Sequence, residues 1–216
     1  MSENVQDIMD DLELDALTEL VNIGVSRAAT NLRDMVGEEV HLSVPSVDLI
    51  RRKKAVEILS RNDSKLVAVH QVFEGDITGR ALLIFPETRS LELVRAVTSG
   101  NLPLEDIIDL EQEALAETGN IILNGCLATM ANMLQRTFKI SLPEILRGDG
   151  DLLFNMPPPP ESGDVVMFVY INFAIRSRDI QGYIAMLMDM PSLTTLQLLL
   201  REFIQRTGGA DGASLA

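Results

Sequence analysis

The sequence predicts an α+β fold made of two copies of one unit, with antiparallel strands in the sheet and two long exposed helices. Three observations lead to this prediction. A segment near the start of the chain recurs 98 residues later, and helix-like and strand-like patterns follow in the same order in both halves. The 216 residues are also 46% hydrophobic, which is enough for a sizeable packed core.

The repeat can be aligned without a gap between residues 15–47 and 113–145. Eight aligned positions are identical, namely Ala16/Ala114, Leu17/Leu115, Glu19/Glu117, Asn22/Asn120, Ile23/Ile121, Met35/Met133, Ser43/Ser141 and Pro45/Pro143. Further along, the tetrapeptide at 76–79 returns in similar form at 179–182, now 103 positions later. The second half has therefore gained five residues between these landmarks.

Each half alone would leave one face of a three-stranded sheet exposed, so the halves are expected to share a core as a pseudo-twofold pair. We predict a single domain over 10–206, with repeats at about 12–100 and 110–205. The Gly- and Ala-rich residues 207–216 are predicted to form a disordered tail.

Within the first half, apolar residues recur with the period of a helix or alternate as in a strand. The predicted order is helix, strand, helix, strand, strand, helix, at 12–35, 39–45, 50–60, 66–73, 80–85 and 86–97. Gly37 is placed to end the first helix, and Pro45 is expected to stop the first strand.

The second half follows the same order, with strands at 165–173 and 183–188 and a last helix at 192–204. Its Gly- and Pro-rich stretch at 148–163 is predicted to be a loop, because proline lacks the donor that a sheet requires. Cys126 aligns with an alanine on the apolar helix face, and we expect it to be buried.

Both repeated helices carry a narrow polar stripe on the side opposite their apolar face. The two stripes consist of Asp15, Glu19, Asn22 and Ser26, and of Glu113, Glu117, Asn120 and Asn124. A solvated face is the ordinary explanation for such residues. However, Asn is a poor residue for a helix interior, and outward positions are free to drift, so the matched Glu and Asn favour a functional role.

The chemistry open to these side chains is narrow. A carboxamide is neither a general base at neutral pH nor a nucleophile, but it can donate and accept hydrogen bonds and so orient a water molecule. A carboxylate one turn away can take the water's proton or pair with a cation. Since this acidic chain lacks a Gly-rich phosphate loop, we expect an anionic substrate to come with its own cation on another protein.

Charge and composition exclude several classes of function. The net charge of −14 gives no broad basic footprint for nucleic acid or an anionic membrane. The start lacks a signal peptide and no apolar run could span a membrane, so we expect a cytoplasmic protein. One cysteine and two isolated histidines predict no metal site of its own. The basic run at 51–54 is interpreted as a solvated face or a docking patch for an acidic partner.

The paired segments at 19–30 and 117–125, preceded by Asp15 and Glu113, resemble the CheC, CheX and FliY phosphatases of chemotaxis. The resemblance extends over roughly 10–206 and rests on two copies of an acid-x-x-x-Glu-x-x-Asn pattern, each followed by a Ser-x-Pro strand. It implies a pseudo-symmetric fold with two exposed active-site helices, and dephosphorylation of a CheY-like response regulator.

In that family, the Asn enters the regulator's site and aligns a water behind the phosphoaspartate, while the Glu pairs with the regulator's active-site Lys. Carried over, Asn22 and Asn120 orient water and Glu19 and Glu117 form the salt bridge, with Asp15 and Glu113 in support. The resemblance implies no cofactor in this chain, since Mg²⁺ belongs to the regulator. It also implies a cytoplasmic monomer.

Two motifs in one chain favour the CheC type over CheX, and a further C-terminal domain of the FliY kind is not expected. Glu113 departs from the family's usual Asp or Ser. After Pro143 the sequence at 144–151 differs from the helical segment of CheC proteins that bind the deamidase CheD, which counts against CheD as a partner. A non-catalytic module that binds a regulator or the flagellar switch is the alternative function, and an unrelated duplicated structural domain is a third.

Overall fold

The structure is a computed structural model, and it describes residues 8–37, 39–61, 65–97, 104–155, 165–175 and 178–208. The helices are α1 (Asp11–Val36), α2 (Arg52–Ser60), α3 (Glu87–Val97), α4 (Leu104–Met133), α5 (Gly150–Asn155) and α6 (Met190–Gly208). The strands are β1 (Val40–Arg51), β2 (Leu66–Glu74), β3 (Gly79–Pro86), β4 (Lys139–Ile140), β5 (Glu144–Gly148), β6 (Val165–Ile175) and β7 (Arg178–Met188). This mixture of helices and antiparallel strands confirms the predicted α+β class.

The seven strands form one antiparallel sheet in the order β1-β6-β7-β3-β2-β4, and β5 also pairs with β2. In the repeat, β1 corresponds to β4 and β5, β2 to β6, and β3 to β7. Exchanging the two halves therefore gives the same strand order, read from the opposite edge of the sheet. The first strand of each half pairs with the other half: β1 with β6, and β4 and β5 with β2. The two halves are therefore joined by strand pairing as well as by a common hydrophobic core.

The centre of the sheet shows where the pseudo-twofold axis passes. Strands β3 and β7 are antiparallel neighbours, and Leu82 lies opposite Ala185. These residues are 103 positions apart, the same spacing as the repeated tetrapeptides of the sequence. A residue that pairs with its own repeat counterpart lies on the rotation axis, so the two halves meet at this pair.

The sheet is covered on both faces. One face packs against α1, α3, α4 and α6 to form the larger core, to which α1 contributes Leu17, Leu20 and Val21. The other face packs against α2 and α5 through a smaller cluster that includes Leu59 and Phe154. Side chains alternate between the two faces along β2. None of the helices in the described ranges is long and apolar enough to cross a membrane.

Helix α1 has specific signals at both ends. Asp10 caps its start through a 2.9 Å hydrogen bond from the Glu13 backbone, and the Glu13 carboxylate accepts in return from the Asp10 backbone. Gly37 ends the helix with a φ of 73°, a left-handed conformation that glycine adopts without strain. The prediction that Gly37 closes this helix is confirmed.

The prediction that Pro45 stops the first strand is wrong. Strand β1 continues to Arg51, and the pairing register with β6 shifts between Ser43 and Ser46, at the proline. A bulge tolerates proline because the extra residue has no partner in the ladder. At the matching place in the second half, Pro143 lies in the gap between β4 and β5, so both prolines interrupt pairing without removing the strand.

Two further sequence predictions need correction. The stretch predicted as a loop contains helix α5, and Asp149 caps it by accepting a 2.8 Å hydrogen bond from the Leu152 backbone. Helix α6 extends to Gly208, two residues into the predicted tail. The polyproline residues 157–160 and the rest of the tail, 209–216, lie outside the described residues.

Candidate active site on helices α1 and α4

The structure places the predicted site residues on the two longest helices. On α1, Asp15 and Glu19 are exposed and Asn22 is half-buried. On α4, the matching residues show the same pattern: Glu113 and Glu117 are exposed and Asn120 is half-buried. Neither asparagine is sealed in the core, so both amides can be reached from outside, as the polar stripes predicted.

The two helices are held together where they cross by residues with little or no side chain. A Cβ added to Gly24 would lie 2.7 Å from the Cys126 Cα, and one added to Gly125 would lie 2.9 Å from the Ala28 Cβ. Such a close approach fixes the position of one helix relative to the other. Cys126 is buried there, as predicted, and burial raises the pKa of its thiol to about 12.

The start of α1 is anchored by a buried carboxylate two residues before Asp15. Glu13 is 1% exposed and accepts hydrogen bonds from Gln197 at 2.8 Å and from Arg201 of α6. Burial alone raises the pKa of Glu13, but the hydrogen bonds from Gln197, Arg201 and the Asp10 backbone outweigh it and hold that pKa below its usual value. The buried charge thereby ties α1 to α6.

In the second half, Asn120 is part of a hydrogen-bonded chain. Its Oδ1 accepts from Nε2 of Gln71 at 3.0 Å and from Nδ2 of Asn124 at 2.8 Å. The same Nε2 of Gln71 also donates to the Ser141 carbonyl at 2.9 Å. Since a carbonyl oxygen has two lone pairs, the acceptor capacity of Asn120 is filled, and its amide nitrogen remains the group to interact with a ligand.

Asn22 has different surroundings. Within the described ranges, no side chain donates to its carboxamide. Ser26, exposed, stands where the second half has Asn124. The two stripes therefore repeat in sequence and in place, but only Asn120 is held by neighbouring side chains.

Two shallow grooves border the α4 stripe. Asn120 and Asn124 line one groove together with Arg27 and Asn31 of α1. Glu113 lines another, beside β5, together with Gln112, Ala116, Pro143, Glu144, Ile145 and Leu146. Glu113 and Asn120, although in the same stripe, thus face different surroundings. Arg27 is the cationic side chain in the first groove, and its Nη1 lies 3.5 Å from the Thr129 hydroxyl.

Sequence reasoning missed Gln71 and gave no role to Asn124. Gln71 is 0% exposed and lies in the middle of β2, on the sheet face that carries α4. An available signal was a glutamine within the mostly apolar strand Leu66–Glu74, since a buried amide requires hydrogen-bond partners. What the sequence could not give is the partner, which lies 49 residues away on another element.

Comparison with known proteins adds to this geometry. The model of the CheC-like family matches residues 12–48, which include α1 and its polar stripe. The CheY-P phosphatase CheC of Bacillus subtilis is 28% identical over 138 residues, which cover 62% of this chain and 65% of that protein. The putative CheY-P phosphatase CheC1 of Halobacterium salinarum is 27% identical over 164 residues, covering 74% and 82% of the two chains. These matches make the chain similar to CheC-like proteins.

A solved structure shares the fold of this chain. FliY of Thermotoga maritima superposes with a TM-score of 0.68 over 90% of this chain and 98% of its own, at 19% identity. The alignment with the Bacillus protein spans slightly less than two thirds of that protein's length. The comparisons therefore show the fold of this chain and its similarity to CheC-like proteins.

Proposed function

We propose that this chain is a phosphatase that hydrolyses the aspartyl phosphate of a CheY-like response regulator. One observation carries the proposal: Asn22 and Asn120 occupy matching, half-exposed positions on two helices, each three residues after an exposed glutamate. The two relatives named CheY-P phosphatases support the substrate. Each chain would have two sites, Glu19 with Asn22 and Glu117 with Asn120.

The division of labour follows from what each side chain can do. A carboxamide holds a water by hydrogen bonds without taking its proton, so Asn22 and Asn120 position the attacking water behind the phosphorus. Glu19 and Glu117 are exposed carboxylates that pair with a lysine of the regulator. The Mg²⁺ that neutralises the phosphoryl group would be held by the regulator.

The charge of the chain agrees with this arrangement. The stripes are acidic, with Asp15 and Glu19 on one helix and Glu113 and Glu117 on the other, in a chain of net charge −14. A free phosphorylated metabolite would be repelled by such a surface. A phosphoryl group already bound to a lysine and a metal in another protein meets carboxylates that complement those cations.

A regulator-binding module without catalysis is the alternative function. It requires an exposed helical surface, which α1 and α4 supply, but it does not require a carboxamide at the same place in both halves. The pairing of Glu and Asn in each stripe therefore favours catalysis. CheD stays a doubtful partner, because the sequence at 144–151 differs from the segment of CheC proteins that bind it.

Decay of the phosphorylated regulator in a single turnover tests the proposal. The regulator is phosphorylated with a small-molecule donor, the donor is removed, and loss of phosphate is followed with and without this chain. A chain-dependent increase in the decay rate that saturates with chain concentration supports the phosphatase. Binding of the phosphorylated regulator with an unchanged decay rate would instead assign the chain to the binding modules.

A further inference from the structure

The hydrogen bonds around Asn120 have only one possible direction. The Ser141 carbonyl can only accept, so the Gln71 amide must turn its nitrogen toward it, at 2.9 Å. The Asn120 atom 3.0 Å from that nitrogen must then be the acceptor Oδ1. The Asn124 atom 2.8 Å from the same oxygen must in turn be a donor. A single backbone carbonyl thus determines the orientation of three side-chain amides.

We propose that Gln71 is a positioning residue for the second site, which holds Asn120 with its amide nitrogen turned outward. The inference rests on the proposed function and adds a difference between the two sites to it. With Oδ1 filled by Gln71 and Asn124, the Asn120 amide presents its N–H donors to an acceptor, the oxygen of the attacking water. An amide that is already oriented loses less conformational entropy when it aligns the attacking water in the transition state.

The buried position of Gln71 supports a role other than packing. Gln71 is 0% exposed, and its Oε1 and the Asn124 Oδ1 are buried without a partner among the described residues. An unpaired buried oxygen costs free energy, and an apolar side chain in β2 would avoid that cost. The amide is therefore unfavourable for the core but well placed for Asn120.

The first site lacks this arrangement. The strand pairing gives two possible counterparts of Gln71 in the first site. Val69 lies opposite Ile145 and Val169 lies opposite Val47, the repeat counterpart of Ile145, which makes Ile171 the counterpart. His70 lies opposite Leu82 and Phe168 lies opposite Ala185, which makes Val169 the counterpart. Both of these residues are buried and apolar. Neither side chain has an amide to donate, so neither can hold the Asn22 amide as Gln71 holds that of Asn120.

Gln71→Leu, tested in two single-site backgrounds, separates positioning from general stability. In Asn22→Ala, where the second site works alone, we expect Gln71→Leu to lower the maximal single-turnover rate roughly three- to tenfold, the cost of ordering one free side chain. The chain concentration at half-maximal rate should not change, because Gln71 does not reach the surface. In Asn120→Ala, where the first site works alone, both quantities should stay the same.

Two controls make the result decisive. Val67→Ala removes buried volume from the same face of β2, four residues before Gln71. Any effect of this change on the decay rate should be equal at both sites. Gln71→Met tests an unbranched apolar side chain of similar length and should reproduce the loss at the second site. An equal loss in both backgrounds with Gln71→Leu, or no loss in Asn22→Ala, would overturn the positioning role. Failure of the phosphatase itself would differ, since neither single-site background would then show activity.

A measurement independent of activity uses the side-chain NH₂ signals of the two asparagines in ¹⁵N relaxation. In the wild-type chain, the Asn120 amide should be markedly more ordered on the ps–ns timescale than the Asn22 amide. Gln71→Leu should reduce the order of Asn120 to the level of Asn22. Equal order in the wild-type chain would contradict the inference even if the phosphatase is active.

Discussion

Gly24 of α1 lies against the backbone of Cys126 in α4, so a Cβ at position 24 would come within 2.7 Å of the Cys126 Cα. Alanine normally stabilises a helix interior by about 1 kcal/mol relative to glycine. Here it would push apart two helices that are packed backbone to backbone, at a cost of about 1–3 kcal/mol. We therefore expect Gly24→Ala to lower the free energy of unfolding, as measured by urea denaturation.

Gly150→Ala is the matched control for this prediction. Gly150 also lies in a helix, but a Cβ there would meet its nearest neighbour at 3.4 Å, an ordinary contact. Its replacement should be neutral or stabilising. A Gly24→Ala chain that is more stable than the wild type would show that α1 and α4 can separate without cost, and that their crossing does not fix the two sites.

His70 predicts a specific pH dependence of stability. Burial lowers its pKa below the usual 6.5, and the Arg80 guanidinium lowers it further, while Glu144 opposes the shift. Below about pH 6.5, His70 therefore binds a proton more readily in the unfolded chain than in the folded chain. Its contribution to the free energy of unfolding is fully present above about pH 6.5 and falls as the pH drops below that value. His70→Leu should remove this part of the decrease between pH 7.5 and 5.5 in urea titrations.

The second histidine supplies the comparison. His41 is exposed in β1, so His41→Gln should retain the wild-type pH dependence. The interval is suitable because the buried carboxylate Glu13, whose pKa is lowered, titrates at more acidic pH. If His70→Leu shows the same slope as the wild type, another group controls stability in this range.

The sequence predicted the features that depend on local chemistry. The period of apolar residues indicated α1, and the polar stripes located Glu19, Asn22, Glu117 and Asn120 on the outer face of their helices. The repeat itself predicted the symmetry, which the structure confirms at Leu82 and Ala185. These features were predictable because a helix face and an internal duplication both appear as patterns along a single sequence.

The features that the sequence did not reveal depend on contacts between distant segments. Pro45 is a strand breaker by local rules, yet β6 continues to pair beyond it because one bulge absorbs the proline. The pairing of strands between the two halves was not predicted either. Alternating apolar and polar residues indicate that a segment is a strand, but they do not show which strand it pairs with. Gln71 received no role from the sequence, because its partner Asn120 lies on α4, 49 residues further along the chain.

The two glutamates should contribute to association as well as to turnover. Glu19→Gln and Glu117→Gln keep the shape but remove the charge that pairs with the regulator's lysine, so half-saturation should rise by about tenfold at the affected site. The loss should shrink at high salt, where the wild-type pair is screened. Asp34→Asn, the same change at an exposed position near the end of α1, should have little effect. A tenfold effect of Asp34→Asn would indicate general repulsion rather than a specific pair.

The decay rate of the phosphorylated regulator with Asn22→Ala/Asn120→Ala is the most direct test of the account. Both positions are half-exposed, and alanine is the better helix former, so the double variant should fold and bind the regulator. Each single variant should keep the activity of the other site, while loss of the group that orients the reactants should cost about 100-fold or more at the altered site. The account predicts that the double variant leaves regulator decay close to its intrinsic rate. Decay at the wild-type rate would contradict it.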